Sequence, residues 1–295
     1  MNGRVSFVTG TSSGFGWHIA LELARRGDWV FAGMQYPSGR DAARAAEMAA
    51  IAEREGRRIT VVEVDVDFDD SVTAAIAAVV AAGGRIDVVV NNAGFGVMGP
   101  WELTTIDQVR RQLETNFLGV FRVSKAAVPH MRRQGAGWIV NVSSEAGLSA
   151  VPLEAFYTAS KFALEGMSQT MRYELSQFGI RVSVVNPGAF RESMFDARII
   201  DVAREHGAGI YEPLVRHMAD QFERKWTTYV SGEQMARVVA DAVDDDDPPY
   251  RVLANASEWR VRPRPVDEYE VEMAAFFEIG PFLKPWKRGS RSDRQ

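Results

Sequence analysis

Short runs of β-branched and apolar residues alternate with longer Ala-, Arg- and Leu-rich stretches from residue 4 to about residue 190. The predicted strands are Val5–Thr9, Trp29–Met34, Ile59–Asp65, Asp87–Asn91, Trp138–Ser143 and Arg181–Asn186. The predicted helices between them are Gly14–Arg26, Arg40–Glu55, Asp69–Ala82, Thr105–Arg133 and Glu154–Phe178. Parallel neighbours in a sheet need crossover connections, so this strict alternation predicts a parallel sheet with helices on both faces. We therefore expect a doubly wound α/β fold whose ligands bind at the carboxyl ends of the strands.

The alternation stops after Gly188, beyond the sixth predicted strand, and resumes with a predicted helix at Ser231–Val243 and a last strand at Tyr250–Ala254. The intervening segment 189–230 is long and aromatic, which is typical of a lid over a binding site. Its aromatic side chains predict either an apolar pocket for a bulky hydrophobic or aromatic substrate, or an ordinary lid core. They are Phe190, Phe195, Tyr211, Phe222, Trp226 and Tyr229. We expect one catalytic domain over residues 1–262, including this lid, and a C-terminal extension and tail over residues 263–295.

The composition excludes several classes of protein. A formal net charge of −5 leaves no basic surface for nucleic acid or for an anionic membrane. No apolar run is long enough to span a bilayer, and Arg4 leads straight into an apolar strand, so we expect a cytoplasmic protein. The absence of cysteine excludes disulfides and thiolate chemistry. The four histidines lack the spacing of metal ligands, so no metal site is expected.

A glycine-rich turn, Thr9–Gly16, links the first predicted strand to the first predicted helix. Glycines at positions 10, 14 and 16 allow backbone N–H groups and a helix N-terminus to approach a pyrophosphate. The spacing departs from GxGxxG, and a tight strand-to-helix turn without a ligand could use the same residues. The strand before the turn and the helix after it favour dinucleotide binding.

Three further strand ends carry small or polar residues. Asn91–Gly94 closes the fourth predicted strand, Ser143 and Ser144 close the fifth, and Asn186–Gly188 closes the sixth. Each of these is common turn chemistry when taken alone. Because the carboxyl ends of parallel strands share one edge of the sheet, we expect these residues to surround a single crevice.

Tyr157 and Lys161 lie four residues apart in a predicted helix. At this spacing both side chains project from one helical face, so the ammonium can lie beside the phenol and lower its pKa toward neutrality. Such a pair predicts a group that donates and accepts protons. The same spacing also occurs by chance on amphipathic helices.

Taken together, these motifs resemble the classical short-chain dehydrogenase/reductase family. The resemblance rests on TGTSSGFG, NNAG, Asn116 within a long helix, Ser144 thirteen residues before Tyr157, the segment YTASK and NPG, in that order. It covers roughly residues 4–190. It implies a single-domain Rossmann-type fold and an NAD(P)(H)-dependent oxidoreductase that interconverts a carbonyl and a secondary alcohol.

The resemblance implies four catalytic residues. Tyr157 would donate a proton to the carbonyl oxygen, or accept one from the alcohol, and Ser144 would orient that oxygen. Lys161 would hold the nicotinamide ribose and lower the Tyr157 pKa, while Asn116 would hold a water that links Lys161 to solvent. The hydride would come from the nicotinamide.

The implied cofactor contacts lie along the strand ends. The pyrophosphate would contact Gly10, Ser12, Ser13, Gly14, Phe15 and Gly16. The adenosine side would contact Gln35, Asp65, Val66, Asn92, Ala93 and Gly94, and the nicotinamide side would contact Tyr157, Lys161, Pro187, Gly188 and Phe190.

Two positions depart from the family pattern. At the end of the second strand an acid would select NAD(H) and a base would select NADP(H), but this chain has Gln35 there. The lack of a repelling carboxylate favours NADP(H) over NAD(H), and Arg40 could reach the cofactor from the next turn. After NPG, many relatives place a threonine that binds the carboxamide, where this chain has Glu192 with Ser193 beside it.

A catalytically silent dinucleotide sensor with the same fold is the alternative to an enzyme. A sensor would be expected to have lost the Tyr/Lys pair or the serine, so the intact set favours an enzyme acting on a small-molecule carbonyl or alcohol. The resemblance also implies a homodimer or homotetramer that pairs the two long helices. The small and apolar residues suited to that contact are Ala126, Ala127, Phe162, Ala163 and Met167.

Overall fold

The computed structural model describes residues 3–188, 199–225, 231–254, 275–276 and 278–279. The strands in these residues are β1 (Val5–Thr9), β2 (Trp29–Met34), β3 (Ile59–Glu63), β4 (Val88–Asn91), β5 (Gly96–Met98), β6 (Gly137–Val142), β7 (Ile180–Pro187), β8 (Ile199–Asp201) and β9 (Arg251–Ala254). Seven of them form one parallel sheet in the order β3-β2-β1-β4-β6-β7-β9. The central strands are buried along their whole length, as expected for a parallel sheet covered on both faces.

Helices cover both faces of this sheet. They are α1 (Gly14–Arg25), α2 (Ala42–Arg54), α3 (Asp69–Gly83), α4 (Ile106–Leu113), α5 (Gly119–Gln134), α6 (Ala155–Leu175), α7 (Val202–His206), α8 (Glu212–Lys225) and α9 (Gly232–Asp244). Successive strand residues point to opposite faces, so Phe7 joins one apolar core beneath α3 and α5, while Val8 joins a second core beneath α1 and α9. The predicted doubly wound α/β fold is confirmed.

The prediction of one continuous helix at Thr105–Arg133 is wrong, because the helix is interrupted. A π-helical turn, Glu114–Leu118, separates α4 from α5. The start of α4 has the sequence pattern of a capping box. The Thr105 side chain accepts from the Gln108 backbone N–H, and the Gln108 side chain accepts from the Thr105 backbone N–H. Single π-helical turns occur frequently at functional sites, and this one holds Asn116.

Two short strands have no counterpart in the sequence prediction. β5 follows the end of β4 and pairs in parallel with β8, which lies beyond β7 in the chain. Val202, the residue after β8, is fully buried, and a Cβ at Gly99 would lie 2.5 Å from its Cβ. The described part of the predicted lid therefore runs back across the loop that follows β4.

The predicted boundary at residue 262 and the lid residues 189–198 and 226–230 lie outside the described residues. Within the described part, no helix has the length and apolar character needed to cross a membrane.

Candidate active site

The turn between β1 and α1 is built for close backbone approach. Gly10 has φ +70°, in the left-handed region that favours glycine. Gly16 is buried, and a Cβ there would overlap both the Gly10 carbonyl oxygen and the Asn92 side-chain amide. The first turn of α1 carries no acidic residue, so its N-terminus presents positive potential to the carboxyl edge of the sheet.

The ends of β1 and β4 are hydrogen-bonded to each other. The Thr9 hydroxyl accepts from the backbone N–H groups of Asn92 and Ala93, each at 3.0 Å. The Asn92 amide donates to the Thr9 carbonyl oxygen at 2.9 Å and to that of Gly10 at 3.2 Å. The predicted NNAG turn thus braces the glycine turn.

A cavity of about 340 Å³ opens beside these turns. The predicted cofactor residues that line it are Gly10, Ser12, Gln35, Asp65, Val66, Ala93 and Gly94. Arg40, Asp67, Phe95, Arg111 and Thr115 line it as well. Its size, its backbone amides and its mixed polar lining fit the adenosine half of a dinucleotide.

The rim of this cavity next to β2 carries a linked set of polar side chains. The Gln35 amide donates to Asp65 at 2.6 Å, and the Arg40 guanidinium donates to the Gln35 side-chain oxygen. Arg40 also stacks on the Tyr36 ring, 4.5 Å from its centroid. A second arginine, Arg44, donates to the Ser12 carbonyl oxygen at 3.1 Å. Arg40 and Arg44 therefore stand beside the carboxylates of Asp41 and Asp65 where the sequence predicts the adenosine ribose.

Ser144 and Tyr157 meet at the end of β6. Burial raises the pKa of Tyr157, hydrogen bonding by the Ser144 hydroxyl lowers it, and the charges of Glu154 and Glu145 raise it further. The net pKa of the phenol lies above its ordinary value of 10.0. The Ser144 hydroxyl also accepts from the Ala146 backbone at 3.0 Å, which fixes its orientation.

Lys161 lies one helical turn from Tyr157 on α6. Its ammonium donates to the Val142 carbonyl oxygen at 2.9 Å and lies 5.6 Å from the centroid of the Tyr157 ring. Only 6% of the residue is exposed. Burial lowers the pKa of Lys161 to about 8, against the opposing charge of Glu165, so the amine titrates near neutrality.

Asn116 reaches the same place from the π-helical turn. Its amide nitrogen donates to the Phe95 carbonyl oxygen at 2.9 Å and to the Ser160 hydroxyl at 3.3 Å, and its oxygen accepts from the Phe95 backbone at 3.1 Å. Both amide protons are therefore used within the protein, and one lone pair of the oxygen remains for a water.

The remaining predicted site residues have simpler surroundings. Ser13, Gly14 and Phe15 lie at the start of α1, at the carboxyl edge of the sheet. Pro187 ends β7, and the Gly188 N–H donates to the Ala254 carbonyl oxygen on β9 at 2.9 Å. Phe190, Glu192 and Ser193 lie outside the described residues, as do Phe195, Trp226 and Tyr229.

An apolar cluster surrounds Tyr157, and the sequence indicated only part of it. Its members are Ala146, Val151, Leu153, Tyr157, Leu214, Met218, Phe222, Phe276 and Ile279. Phe276 and Ile279 come from the predicted C-terminal extension, which carries no motif that would assign it to a site. The two non-glycine residues with positive φ in the described part of the chain, Leu153 and Glu278, lie in or beside this cluster. Such strained residues are concentrated at ligand sites. Tyr211 is not a member of this cluster. Its hydroxyl donates to Glu102 at 2.7 Å.

Comparisons with known proteins agree with this geometry. The family model described as short chain dehydrogenase matches residues 4–201. The chain is 32% identical to a 3-ketodihydrosphingosine reductase of Bacteroides thetaiotaomicron, over 85% of this chain and 87% of the relative. It is also 32% identical to retinol dehydrogenase 8 of Bos taurus, over 85% of this chain and 81% of that protein.

Solved structures share the fold. A short-chain dehydrogenase from Streptomyces avermitilis matches with a TM-score of 0.73 and 27% identity, covering 96% of this chain and 99% of the other. A metagenomic short-chain oxidoreductase in complex with NADP matches at 0.68 and 27% identity, over 86% and 97% of the two chains. NAD⁺-bound xylitol dehydrogenase matches at 0.71 and 26% identity, over 85% and 97%.

Fold, crevice and relatives together define an NAD(P)-dependent oxidoreductase that acts on carbonyl and alcohol groups. The family match extends from β1 through β8 and so includes the glycine turn and the Tyr157 helix. The chain belongs to the classical short-chain dehydrogenase/reductase family.

Proposed function

We propose that Tyr157 is the proton donor of carbonyl reduction and the proton acceptor of alcohol oxidation. The observation that carries the proposal is the placement of the Ser144 hydroxyl beside the Tyr157 phenol, with the Lys161 amine one helical turn away. A nicotinamide dinucleotide bound at the strand ends supplies the hydride. Because the pKa of Tyr157 is raised, the phenol is protonated at neutral pH and can act as an acid.

The other polar groups orient the reacting oxygen and return a proton to Tyr157. Ser144 holds the reacting oxygen against the phenol. Lys161 binds the nicotinamide ribose and, when protonated, stabilises the phenolate left after proton transfer. Asn116 holds a water through the remaining lone pair of its oxygen, which links Lys161 to solvent. The complete set of four residues argues against a silent sensor.

NADP(H) is the proposed cofactor. Support comes from Arg40, which lines the adenosine cavity and is anchored by Gln35 and by the Tyr36 ring. A guanidinium there can pair with a ribose 2′-phosphate. Asp65, the carboxylate nearest to Gln35, already accepts from Gln35 and from the Asp67 backbone.

The proposed substrate is a bulky apolar carbonyl compound or alcohol. The apolar cluster beside Tyr157 offers such a molecule a hydrophobic wall. Two relatives are named for ketodihydrosphingosine and for retinol, which is consistent with this class.

A homodimer or homotetramer is proposed from the exposed apolar face of α5 and α6. Phe121 and Phe162 are each 47% exposed there, and Leu118, just before α5, is also exposed. Ala127 cannot contribute to this contact, because it is fully buried in the core of the subunit. The double variant Phe121→Asp/Phe162→Asp should elute as a 32.7 kDa monomer in light scattering, whereas a wild-type monomer would refute the assembly.

The test of the catalytic proposal is NADPH oxidation with a panel of ketones from small to bulky. Tyr157→Phe should lower kcat by about 10³-fold, in the range expected for loss of a general acid. Tyr173→Phe is the matched control, because Tyr173 lies on the same helix and is 67% exposed. Retention of most activity by Tyr157→Phe would show that another group donates the proton.

A further inference from the structure

Glu165 lies one helical turn beyond Lys161 on α6 and is only 8% exposed. One of its carboxylate oxygens accepts from the Asn186 amide at 2.6 Å. The other accepts from the Arg251 guanidinium at 2.7 Å, which forms an ion pair. The carboxylate therefore joins α6 to β7 through Asn186 and to the edge strand β9 through Arg251.

Asn186 carries this connection to the catalytic serine. The same amide nitrogen that donates to Glu165 also donates to the Ser144 backbone carbonyl at 2.9 Å. The turn after Ser144 packs directly on Glu165, since a Cβ at Gly147 would lie 3.1 Å from the Glu165 Cγ and 2.6 Å from the Ser143 hydroxyl. The backbone of Ser144 is thus held by a chain of contacts that ends at Arg251.

Glu165 also acts on Lys161 through its charge. It is the ionised neighbour that raises the pKa of Lys161 against the effect of burial. The other ionisable groups around this pair are Tyr157 on α6, Glu145 and Glu154 before it, Arg251 on β9 and Tyr250 just before β9. Arg172 lies further along α6, over the Tyr250 ring.

We propose that Glu165 is a positioning residue of the active site, which fixes the Ser144 backbone through Asn186 and places a carboxylate one helical turn from Lys161. The inference rests on the proposed function of Ser144 and Lys161, neither of which Glu165 replaces. A buried carboxylate costs stability unless it is paired, and the ion pair with Arg251 offsets this cost for Glu165.

A matched control lies at the amino end of the strands, opposite the crevice. Asp28 is 3% exposed and accepts from Arg4 at 2.9 Å, which makes it a second buried acid paired with an arginine. It lies just before β2, at the amino end of the sheet and away from the crevice. Asp28→Asn should reproduce the loss of stability from breaking such a pair without altering the site.

The decisive measurement is the titration of Lys161 by ¹³C NMR of lysine Cε. The chain has five lysines, at positions 125, 161, 225, 284 and 287, and Lys161→Met assigns the signal. Glu165→Gln should lower the titration midpoint by about one pH unit, since an attractive charge is lost. Glu165→Asp and Asp28→Asn should leave the midpoint near the wild-type value. A midpoint unchanged in Glu165→Gln would overturn the proposal.

Activity supplies the readout for Ser144. Glu165→Gln should lower kcat about tenfold or more, with the cofactor KM changed by less than about twofold, because the hydroxyl is displaced from the reacting oxygen. If Glu165→Gln melts without cooperativity, Arg251→Gln replaces it. Loss of Arg251 leaves the Glu165 carboxylate buried without its pairing cation, so the Lys161 midpoint must move away from the wild-type value, and an unchanged midpoint overturns the proposal. The titration needs no turnover, so a wild-type protein inactive toward carbonyls would refute the proposed function separately.

Discussion

Lys161 donates to the backbone carbonyl of Val142, the last residue of β6, across 2.9 Å. The amine is thereby held at a sheet edge where water has little access. A charged lysine in such a place is stabilised by few groups, and burial accordingly lowers its pKa to about 8. Function and stability are therefore in conflict at this residue.

Lys161→Met should stabilise the folded protein at neutral pH by about 3 kcal/mol while abolishing activity. The folded-state pKa of about 8 lies below the ordinary 10.5, so the destabilisation by Lys161 is complete below pH 8. It is relieved as the pH rises from 8 to 10.5, because the unfolded chain then binds the extra proton. Urea unfolding of both proteins between pH 6.5 and about 10 should show the two curves converging. Lys125→Met, at an exposed helix position, should show no such convergence.

Gly16→Ala should weaken NADPH binding by more than about tenfold, because an added methyl group must move the Gly10 carbonyl and the Asn92 amide. Fluorescence titration with NADPH measures the effect. The control is Gly166→Ala on α6, where nothing lies within 4 Å of the added carbon. That variant should bind normally and melt slightly higher, since alanine favours a helix. Equal affinity of the two variants for NADPH would show that the cofactor does not bind at this turn.

Arg40→Ala should raise the KM for NADPH about tenfold and leave the KM for NADH within about twofold, as expected for loss of one charge-assisted hydrogen bond. Arg54→Ala, at an exposed position on the end of α2, controls for net charge. Steady-state kinetics with both cofactors decides the matter. A parallel loss with NADH would mean that Arg40 supports the fold of the cavity rather than a 2′-phosphate.

Phe276→Ala should lower kcat/KM about tenfold for bulky apolar ketones and by less than about threefold for acetone-sized ones, because one aromatic wall of the pocket is removed. Phe276 packs in the cluster around Tyr157. Phe68→Ala removes a ring that is 64% exposed and should affect neither class of substrate. A uniform loss across the panel would indicate that Phe276 stabilises α8 instead.

The main sheet and the catalytic set could be predicted because both depend on local patterns. A buried parallel strand reads as a run of valine and isoleucine, and Tyr157 and Lys161 need only their spacing on one helix. β5 and β8 could not be predicted, because each has three residues and forms only when the other is present. The π-helical turn at Asn116 likewise depends on the Phe95 backbone, which is 21 residues away.

The supporting residues were missed for a different reason. On the sequence, Lys161 and Glu165 form an ordinary i, i+4 pair, which is most often a solvated helix face. Only the fold brings Asn186 and Arg251 to Glu165 and excludes water from it. The apolar role of Phe276 is equally invisible, because its partners Tyr157 and Phe222 are distant in the chain.

Arg251 follows Glu165 by 86 residues, and β9 is the outermost strand beside β7. A chain emerging from the ribosome therefore contains Asn116, Ser144, Tyr157 and Lys161 long before the cation that neutralises Glu165 is synthesised. Until β9 docks, α6 carries a carboxylate that cannot be buried at low cost, and the edge of β7 is open. The order of synthesis thus makes closure of the sheet a late step in assembling the catalytic helix, so a chain that ends before β9 has the reactive groups but lacks the ion pair that supports them.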